Sequence, residues 1–579
     1  MKQANARIKE RVKVASAELR YHFVRLHFTG LGELAAVGLV AAIALSYGIS
    51  SAGMASGFVD PLLHAGAQDE AVYGHTAARM VQTGDWATPI FLDRFMLNKP
   101  PLLMWAGAAS MRIFGVNPVA LRLPVLVAGV LCCVLIYWWL RRSQSMAAGV
   151  AGVVMLLGMP VFHSIGRKFM TDTLLTLFLV AAMCVIAADP VFQRRWTAIA
   201  FGALSGAPVM TKSAAGLLPL LILALYWMLA GRKERPPLRS VALAFVVAAL
   251  VAAPWHIYEF AVHRDWFVAE YIRFQLLGSG VTAPSRYTED SNFWFYFRTL
   301  LRTDPILVVL WLTSLPWTVH AWRRSNQLQA RLLAAWFLIA ALGLGVFGTR
   351  AAYYLLPLLP VLVLMSAEFS PLLRGRLAWV TCGVLVLLFG VKAWSDDASW
   401  GLDYGAQSVP SARAFDGYSH LRRTNELLIV SPDDEFYASV IDLPKVRYVY
   451  LAPLDPSKTS EFFYRLGMIL SSQQFCSLNA LMPVYEQRLR SWKLPDDLHP
   501  EGTLIDSGAV SELAELIRCS PDRDFMIPED LREVARAAAA NTHTATETQS
   551  GRFFLLSNNT SRRLEGSIAA GTVVQGQLP

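Results

Sequence analysis

Long apolar stretches recur along this chain from Leu31 to Trp394 and then stop. A helix needs roughly 20 apolar residues to cross a bilayer, and in hydrocarbon only helices and closed barrels satisfy their own backbone. The expected fold is a polytopic α-helical membrane protein with its soluble part C-terminal. About eleven spans run near 31–49, 118–140, 147–166, 170–188, 197–209, 214–230, 240–258, 304–322, 331–347, 355–369 and 377–394. Composition agrees, with 54% hydrophobic and 16% charged residues against about 25% charge in a soluble protein. The net charge of +9 does not point to nucleic acid, because the basic residues cluster beside apolar segments, where membrane orientation accounts for them.

Orientation tests the count. The arm before the first span holds Lys2, Arg7, Lys9, Arg11, Lys13, Arg20 and Arg25 against Glu10 and Glu18, which assigns it to the cytoplasm. It reads as a retained arm with no cleavable signal. Alternation then turns inward Arg141-Arg142, Arg194-Arg195, Arg232-Lys233-Glu234-Arg235, Arg323-Arg324 and Arg374-Gly375-Arg376, each a short basic turn. The outer loops differ. Residues 50–117 form a long loop with two helices on or dipping into the membrane, and 259–303 form a second. The outer turns Gly166-Arg167-Lys168, Met210-Thr211-Lys212 and Gly348-Thr349-Arg350 carry cations against the orientation rule. Anionic ligands on that face would account for them.

Three regions follow: a basic cytoplasmic arm (1–30), a transmembrane region (31–394) and a small extracytoplasmic α/β domain (395–579). In the last, Leu427–Val430, Val446–Tyr450 and 552–557 read as strands and Val510–Arg518 as a helix. The Ala- and Thr-rich stretch from about Ala537 to Ser550 reads as a flexible loop. Cys132, Cys133, Cys184 and Cys382 fall in spans and read as packing residues, while Cys476 and Cys519 could pair in an exported tail.

The first outer loop carries the chemistry. Gln68-Asp69-Glu70 opens an amphipathic helix running to about Gln82. Asp69 can cap it or use its position at the positive helix end; adjacent residues diverge on a helix, so at most one of Asp69 and Glu70 faces a reaction. Asn98-Lys99-Pro100-Pro101-Leu102 sets Lys99 just before an apolar helix that prolines can start. A lysine beside free helix N–H groups makes a phosphate seat; the alternative is a lysine snorkelling to headgroups. Asp172 lies just inside the apolar stretch beside Arg167 and Lys168, where an ionisable group is either functional or paired. Lys212 lies at another outer helix edge, and Arg350 with Tyr353-Tyr354 at a third.

These residues resemble the GT-C glycosyltransferases. The pattern Asp69-Glu70, Gly84-Asp85-Trp86, Lys99-Pro100-Pro101-Leu102, Phe114-Gly115 and Arg122-Leu123-Pro124 is similar to the signature of bacterial 4-amino-4-deoxy-L-arabinose:lipid A transferases, with protein O-mannosyltransferases more distant. Pro254-Trp255-His256 and Tyr353-Tyr354-Leu355-Leu356-Pro357 fit as well, and the resemblance covers roughly residues 30 to 370. It implies a GT-C fold and an inverting transferase in a bacterial inner membrane, with the site and C-terminal domain periplasmic. The donor would be a polyprenyl-phosphate sugar and the acceptor a glycolipid or glycan, lipid A first. By the resemblance Asp69 is the catalytic carboxylate, with Glu70 beside it and Asp172 facing it. Lys99 would bind the donor phosphate, with Lys212 and Tyr354 lining the lipid-phosphate cavity; from their positions in the chain Arg273, Arg350 and Tyr353 are further substrate-binding candidates.

Two positions depart from the family pattern. Asn98 stands where the relatives have Glu, and Glu270-Tyr271-Ile272-Arg273-Phe274-Gln275 lacks their histidine. The expectation is therefore no metal cofactor, with cationic side chains neutralising the phosphate. Alternatives are an O-mannosyltransferase-like enzyme or a lipid-linked sugar transporter; transporters often carry internal repeats, and none is found here. The topology has a direct test. A cysteine at Ser279 should react with an impermeant thiol reagent outside intact cells and one at Ser325 should not; the reverse pattern overturns the orientation.

Overall fold

The computed structural model describes residues 29–46, 49, 67–91, 94–232, 234–268, 270–272, 275–277, 294–323, 327–346, 350–373, 377–395, 427–431, 446–450, 514, 517–518, 524–528, 531–539, 543–547 and 553–558. It is mostly helical. The first part runs α1 (Thr29–Ser46), α2 (Ala67–Thr83), a two-stranded hairpin β1 (Ile90–Phe91) and β2 (Arg94–Phe95), and α3 (Leu102–Phe114). Then come α4 (Pro118–Ser143), α5 (Met146–Leu157), α6 (Pro160–Ile165), α7 (Thr171–Ala188), α8 (Arg195–Lys212), α9 (Leu218–Leu229) and α10 (Leu238–Val262). The short α11 (Arg264–Phe267) and α12 (Phe295–Thr303) precede α13 (Pro305–Arg323), α14 (Gln327–Val346), α15 (Leu359–Phe369) and α16 (Leu377–Ser395).

Among the described residues six helical segments are long and apolar enough to cross a membrane: Pro118–Ser143, Thr171–Ala188, Arg195–Leu229, Leu238–Val262, Pro305–Arg323 and Leu328–Gly345. Gly30–Ser46, Leu102–Phe114, Met146–Leu157, Leu359–Phe369 and Leu377–Lys392 are shorter apolar helices. Three expected spans change form. The stretch 147–166 breaks after Leu157, because Pro160 has no N–H to continue the ladder and instead begins α6 at its first turn. The expected spans 197–209 and 214–230 lie in one apolar unit, interrupted by a 3₁₀ turn at Ser213–Leu217.

Local chemistry sets several helix ends. Asn117 accepts the Ala120 N–H at 2.9 Å with Pro118 at the first position of α4, and Ser145 accepts the Ala148 N–H at 3.1 Å to start α5. Ion pairs then tie distant helices together. Glu33 accepts from Arg141 at 2.9 Å and from Tyr137 at 2.7 Å, joining α1 to α4. Lys392 meets the buried Asp304 at 2.8 Å, joining α16 to the start of α13.

Close helix approach depends on two glycines. A Cβ at Gly202 of α8 would lie 2.5 Å from the Ala244 carbonyl of α10, and one at Gly206 would lie 2.6 Å from that of Ala248. The four-residue spacing puts both on one face of α8, the small-residue arrangement by which helices pack closely in lipid.

After α16 the structure changes class. β3 (Leu427–Ser431) pairs in parallel with β4 (Val446–Tyr450) and β5 (Asp524–Pro528); β7 (Phe553–Asn558) pairs antiparallel with β5 and with β6 (His543–Glu547). The order is β4-β3-β5-β7-β6. The expected strands at 427–430 and 446–450 are present and 553–557 falls in β7. The expected loop at 537–550 is corrected: α17 (Arg532–Ala539) runs into it and β6 occupies its centre. Ala favours helix and β-branched Thr tolerates a strand, so that composition did not signify a loop. Of the helix expected at 510–518, residues 514 and 517–518 are described and helical. Cys476, Cys519 and nearly all of the N-terminal arm lie outside the described residues.

Gly206→Val should force α8 from α10 and lower detergent thermal stability by about 1–3 kcal/mol, the usual cost of overpacking. An unchanged melting midpoint would show that the helices slide apart without cost.

Candidate active site

The segment that opens with α2 is anchored through Glu70. Its Oε1 accepts the Arg122 Nε at 2.7 Å and the Phe169 N–H at 2.8 Å, and its Oε2 accepts Arg122 Nη2 at 3.1 Å. Both side chains are buried, and Arg122 Nη1 donates to the Ile49 carbonyl at 3.0 Å. This satisfaction is what a buried ion pair needs. It gives Glu70 an anchoring role, three hydrogen bonds holding its carboxylate between Arg122 and the Phe169 N–H, where the sequence grouped it with the catalytic carboxylates.

Asp69, one residue earlier in the first turn of α2, points elsewhere. It is half-buried and lies in the fields of Lys99, Lys212 and Asp172, with a hydrogen bond to Tyr73. Enclosure by protein raises its carboxyl above the usual carboxylate value; the two lysines pull it down, and Asp172 pushes it up. Asp172 is buried in the first turn of α7 and meets Lys212 at 2.5 Å. Lys212 ends α8 with its ammonium 4.3 Å from the centre of the Tyr354 ring and 5.3 Å from that of Tyr353, a cation–π arrangement. Ser213, which follows, has φ +50°, a strained turn for a residue with a Cβ.

Lys99 precedes α3. Trp105 makes the first helical bond of that turn, to the Pro101 carbonyl at 2.8 Å, so Leu102, Leu103 and Met104 have N–H groups without intrahelical partners. The Lys99 ammonium donates to the Gln275 side-chain carbonyl. Burial lowers its pKa to about 8; Asp69 and Asp172 raise it and Lys212 lowers it further. Two lysines and two aspartates, carried by α2, α7, α8 and the start of α3, thus act on one another across one site.

Residues between Trp255 and Gln275 bond to the segment 87–99. Glu270 Oε2 accepts the Leu97 N–H at 2.7 Å, Trp255 Nε1 donates to the Ala87 carbonyl at 2.9 Å, and Thr88 Oγ1 lies 3.3 Å from His263 Nε2. Tyr271 meets His256 Nε2 at 2.7 Å, while His256 Nδ1 donates to the Ala252 carbonyl at 2.8 Å. Arg350 is buried close to Tyr296, which also senses Asp172. Arg167 and Lys168 are buried beside the site's helices. Arg273 lies outside the described residues. Sequence reasoning missed Glu270 and the use of Gln275; the available signal was an acidic residue inside an otherwise apolar stretch of the loop.

The resemblance raises the question of a metal, and the donor set does not fit one. Among the described residues no three His, Cys, Asp or Glu side chains converge as ligands. Asn98 offers a neutral Oδ1, buried without a hydrogen-bond partner among those residues, and the Gln275 carbonyl is taken by Lys99. Divalent sites in proteins draw on charged or imidazole ligands. No step below runs through a metal.

The apolar helices, the segment bearing Asp69 and Lys99, and the groups of Trp255, Glu270 and Gln275 that bond to it define a polytopic helical membrane protein. Crystal structures of ArnT from Cupriavidus metallidurans, bound to undecaprenyl phosphate and in the apo state, each superpose with a TM-score of 0.62 at 15% identity; they cover 90% and 91% of this chain and 97% and 98% of theirs. The shared fold is the conclusion from that likeness. A family profile described as dolichyl-phosphate-mannose-protein mannosyltransferase matches residues 98–258. In sequence the chain is similar to undecaprenyl phosphate-alpha-4-amino-4-deoxy-L-arabinose arabinosyl transferases. The one from Erwinia tasmaniensis is 28% identical over 323 residues, and the one from Aeromonas salmonicida 30% over 324; each alignment covers 53% of this chain and 56% of the relative. The chain thus spans little more than half the length of the curated relatives it matches. These likenesses bear out the resemblance read from the first-loop residues.

An anion held by Lys99 should be lost as pH rises through about 8, where the buried ammonium gives up its proton. Titrating undecaprenyl phosphate onto the purified protein should give an affinity that falls across that range. Lys99→Arg should remove the fall, since a guanidinium stays charged. A flat profile in the unsubstituted protein would separate Lys99 from the anion.

Proposed function

We propose that this chain transfers a glycosyl group from a polyprenyl-phosphate sugar, undecaprenyl-phosphate-linked, to a glycolipid acceptor of the bacterial envelope such as lipid A. The observation that carries the reading is the meeting of Lys99 and Lys212 with Asp69 and Asp172 at one outer site, with Tyr353 and Tyr354 beside it. The undecaprenyl-phosphate-linked sugar named for the similar arabinosyl transferases supports the choice of donor.

In the reaction the bond from the anomeric carbon to the donor phosphate oxygen breaks, and a bond to the acceptor oxygen forms on the opposite face, inverting the centre. The bonding pair leaves with the phosphate. Lys99, the N–H groups opening α3 and Lys212 stabilise that charge in this reading, the kind of preorganised electrostatics that dominates many transfers. Asp172 holds the Lys212 ammonium. Asp69 takes or orients the acceptor proton, and its raised pKa makes it a better base than an exposed aspartate. Arg350, and Arg273 from the second loop, supply further positive charge to the lipid phosphate.

The membrane arrangement belongs to the same proposal. The chain spans the inner membrane about eleven times, with arm 1–30 cytoplasmic, the catalytic region at 31–394, and the site and residues 395–579 periplasmic. Radiolabelled sugar transfer from purified lipid donor to lipid A, in detergent, tests the function. Lys99→Ala should cut the rate by about 10²–10³, the effect of losing one charge-stabilising donor, while the protein stays folded. Asp69→Asn should abolish transfer; a full rate would leave Asp69 as no more than a first-turn carboxylate favoured by the helix dipole. No transfer by the unsubstituted protein, with movement of the lipid-linked sugar across proteoliposomes instead, would replace the enzyme with a transporter.

A further inference from the structure

Lys99 has two independent ties to one short stretch of the second outer loop. The segment around 268–277 is helical at its described residues. From it Gln275 accepts the Lys99 ammonium, and Glu270 accepts the Leu97 N–H at 2.7 Å, two residues upstream of the lysine. Leu97 and Glu270 are both buried, so this charge-assisted bond is shielded from water. The packing around it is aromatic and apolar: Leu97 shares a cluster with Met210, Trp255, Phe267 and Tyr271. Two residues after Met210 in α8 comes Lys212, the other lysine of the site. The backbone that aims Lys99 is therefore held by a side chain of a loop more than 170 residues away in sequence.

We propose that Glu270 is the positioning residue for Lys99: by accepting the Leu97 N–H it locks the segment 97–99 against the second outer loop and sets where the ammonium meets the donor phosphate. Gln275 completes the clasp at the side chain. The carboxylate is used here as a hydrogen-bond acceptor for a backbone N–H, and an amide oxygen of the same reach can do that. An unpaired Leu97 N–H, buried in this apolar cluster, would carry the desolvation cost of an unmet donor. The segment would then shift to find a partner, moving Lys99 with it. This inference rests on the reading of Lys99 as the phosphate-binding lysine.

The test is a double-mutant cycle on the full-length protein in detergent, with undecaprenyl phosphate as the probe. Glu270→Ala should weaken binding about tenfold, the scale of one hydrogen bond to a charged group. Glu270→Gln, which keeps the length and an acceptor but gives up the charge assistance, should weaken binding by about threefold to fivefold, less than the alanine variant. Glu270→Asp, which keeps the charge but retracts it by one methylene, should behave like the alanine variant. The pair of Gln and Asp variants decides the matter even where Glu270→Ala does not fold. In a Lys99→Ala background, Glu270→Asp should cause no further loss, because the residue it positions is gone. Additive losses in that background, or a Gln variant as weak as the Asp one, overturn the positioning role. Unchanged binding by Lys99→Ala alone instead overturns the donor-site reading beneath it.

Discussion

The site depends on one buried carboxylate. Glu70 receives two bonds from Arg122 of α4 and one from the Phe169 N–H just before α7, so three separated parts of the chain meet on its oxygens. Asp69 is its neighbour on one side, and Asp172 follows Phe169 by three residues. The Glu70–Arg122 pair and the Phe169 N–H tie the first turn of α2 to α4 and to the chain just before α7, which brings the turns carrying the two aspartates together. An ion pair so deeply enclosed repays its desolvation only when every lone pair and proton is used, and here Arg122 also finds the Ile49 carbonyl.

Around that anchor, each cation is held by something other than the ligand. Lys212 has Asp172 and two tyrosine rings; Lys99 has Gln275 and a backbone fixed by Glu270. A long flexible side chain loses much conformational entropy when it is ordered. Under the proposed function, ordering both lysines ahead of the donor phosphate moves that cost from binding to folding. The close approach of α8 to α10 at Gly202 and Gly206 belongs to the same scheme, since α8 ends in Lys212.

The site also shows why a local departure from a family pattern can be absorbed. Where the resemblance leads one to expect an acidic and a histidine ligand, this chain has Asn98 and a loop in which Tyr271 turns to His256 and Gln275 to Lys99. The second loop still closes on the first, through hydrogen bonds among the chain's own groups.

Much of this was legible in the residues alone. Apolar runs and basic turns are direct consequences of bilayer solvation and membrane orientation, so the helical character and most helix positions followed from composition along the chain. Asp69, Lys99, Asp172 and Lys212 stood out because ionisable groups at outer helix edges need a reason. What only the tertiary structure decided was which of them act together and which are anchors. Glu70 and Asp69 are adjacent and chemically alike, yet one is consumed by Arg122 and the other opens to the lysines. Glu270 and Gln275 carry no local sign of their partners, because Leu97 and Lys99 lie more than 170 residues away. Hydropathy is a property of neighbours in sequence; a hydrogen bond across the fold depends on where two distant backbones come to rest, and no local pattern encodes that.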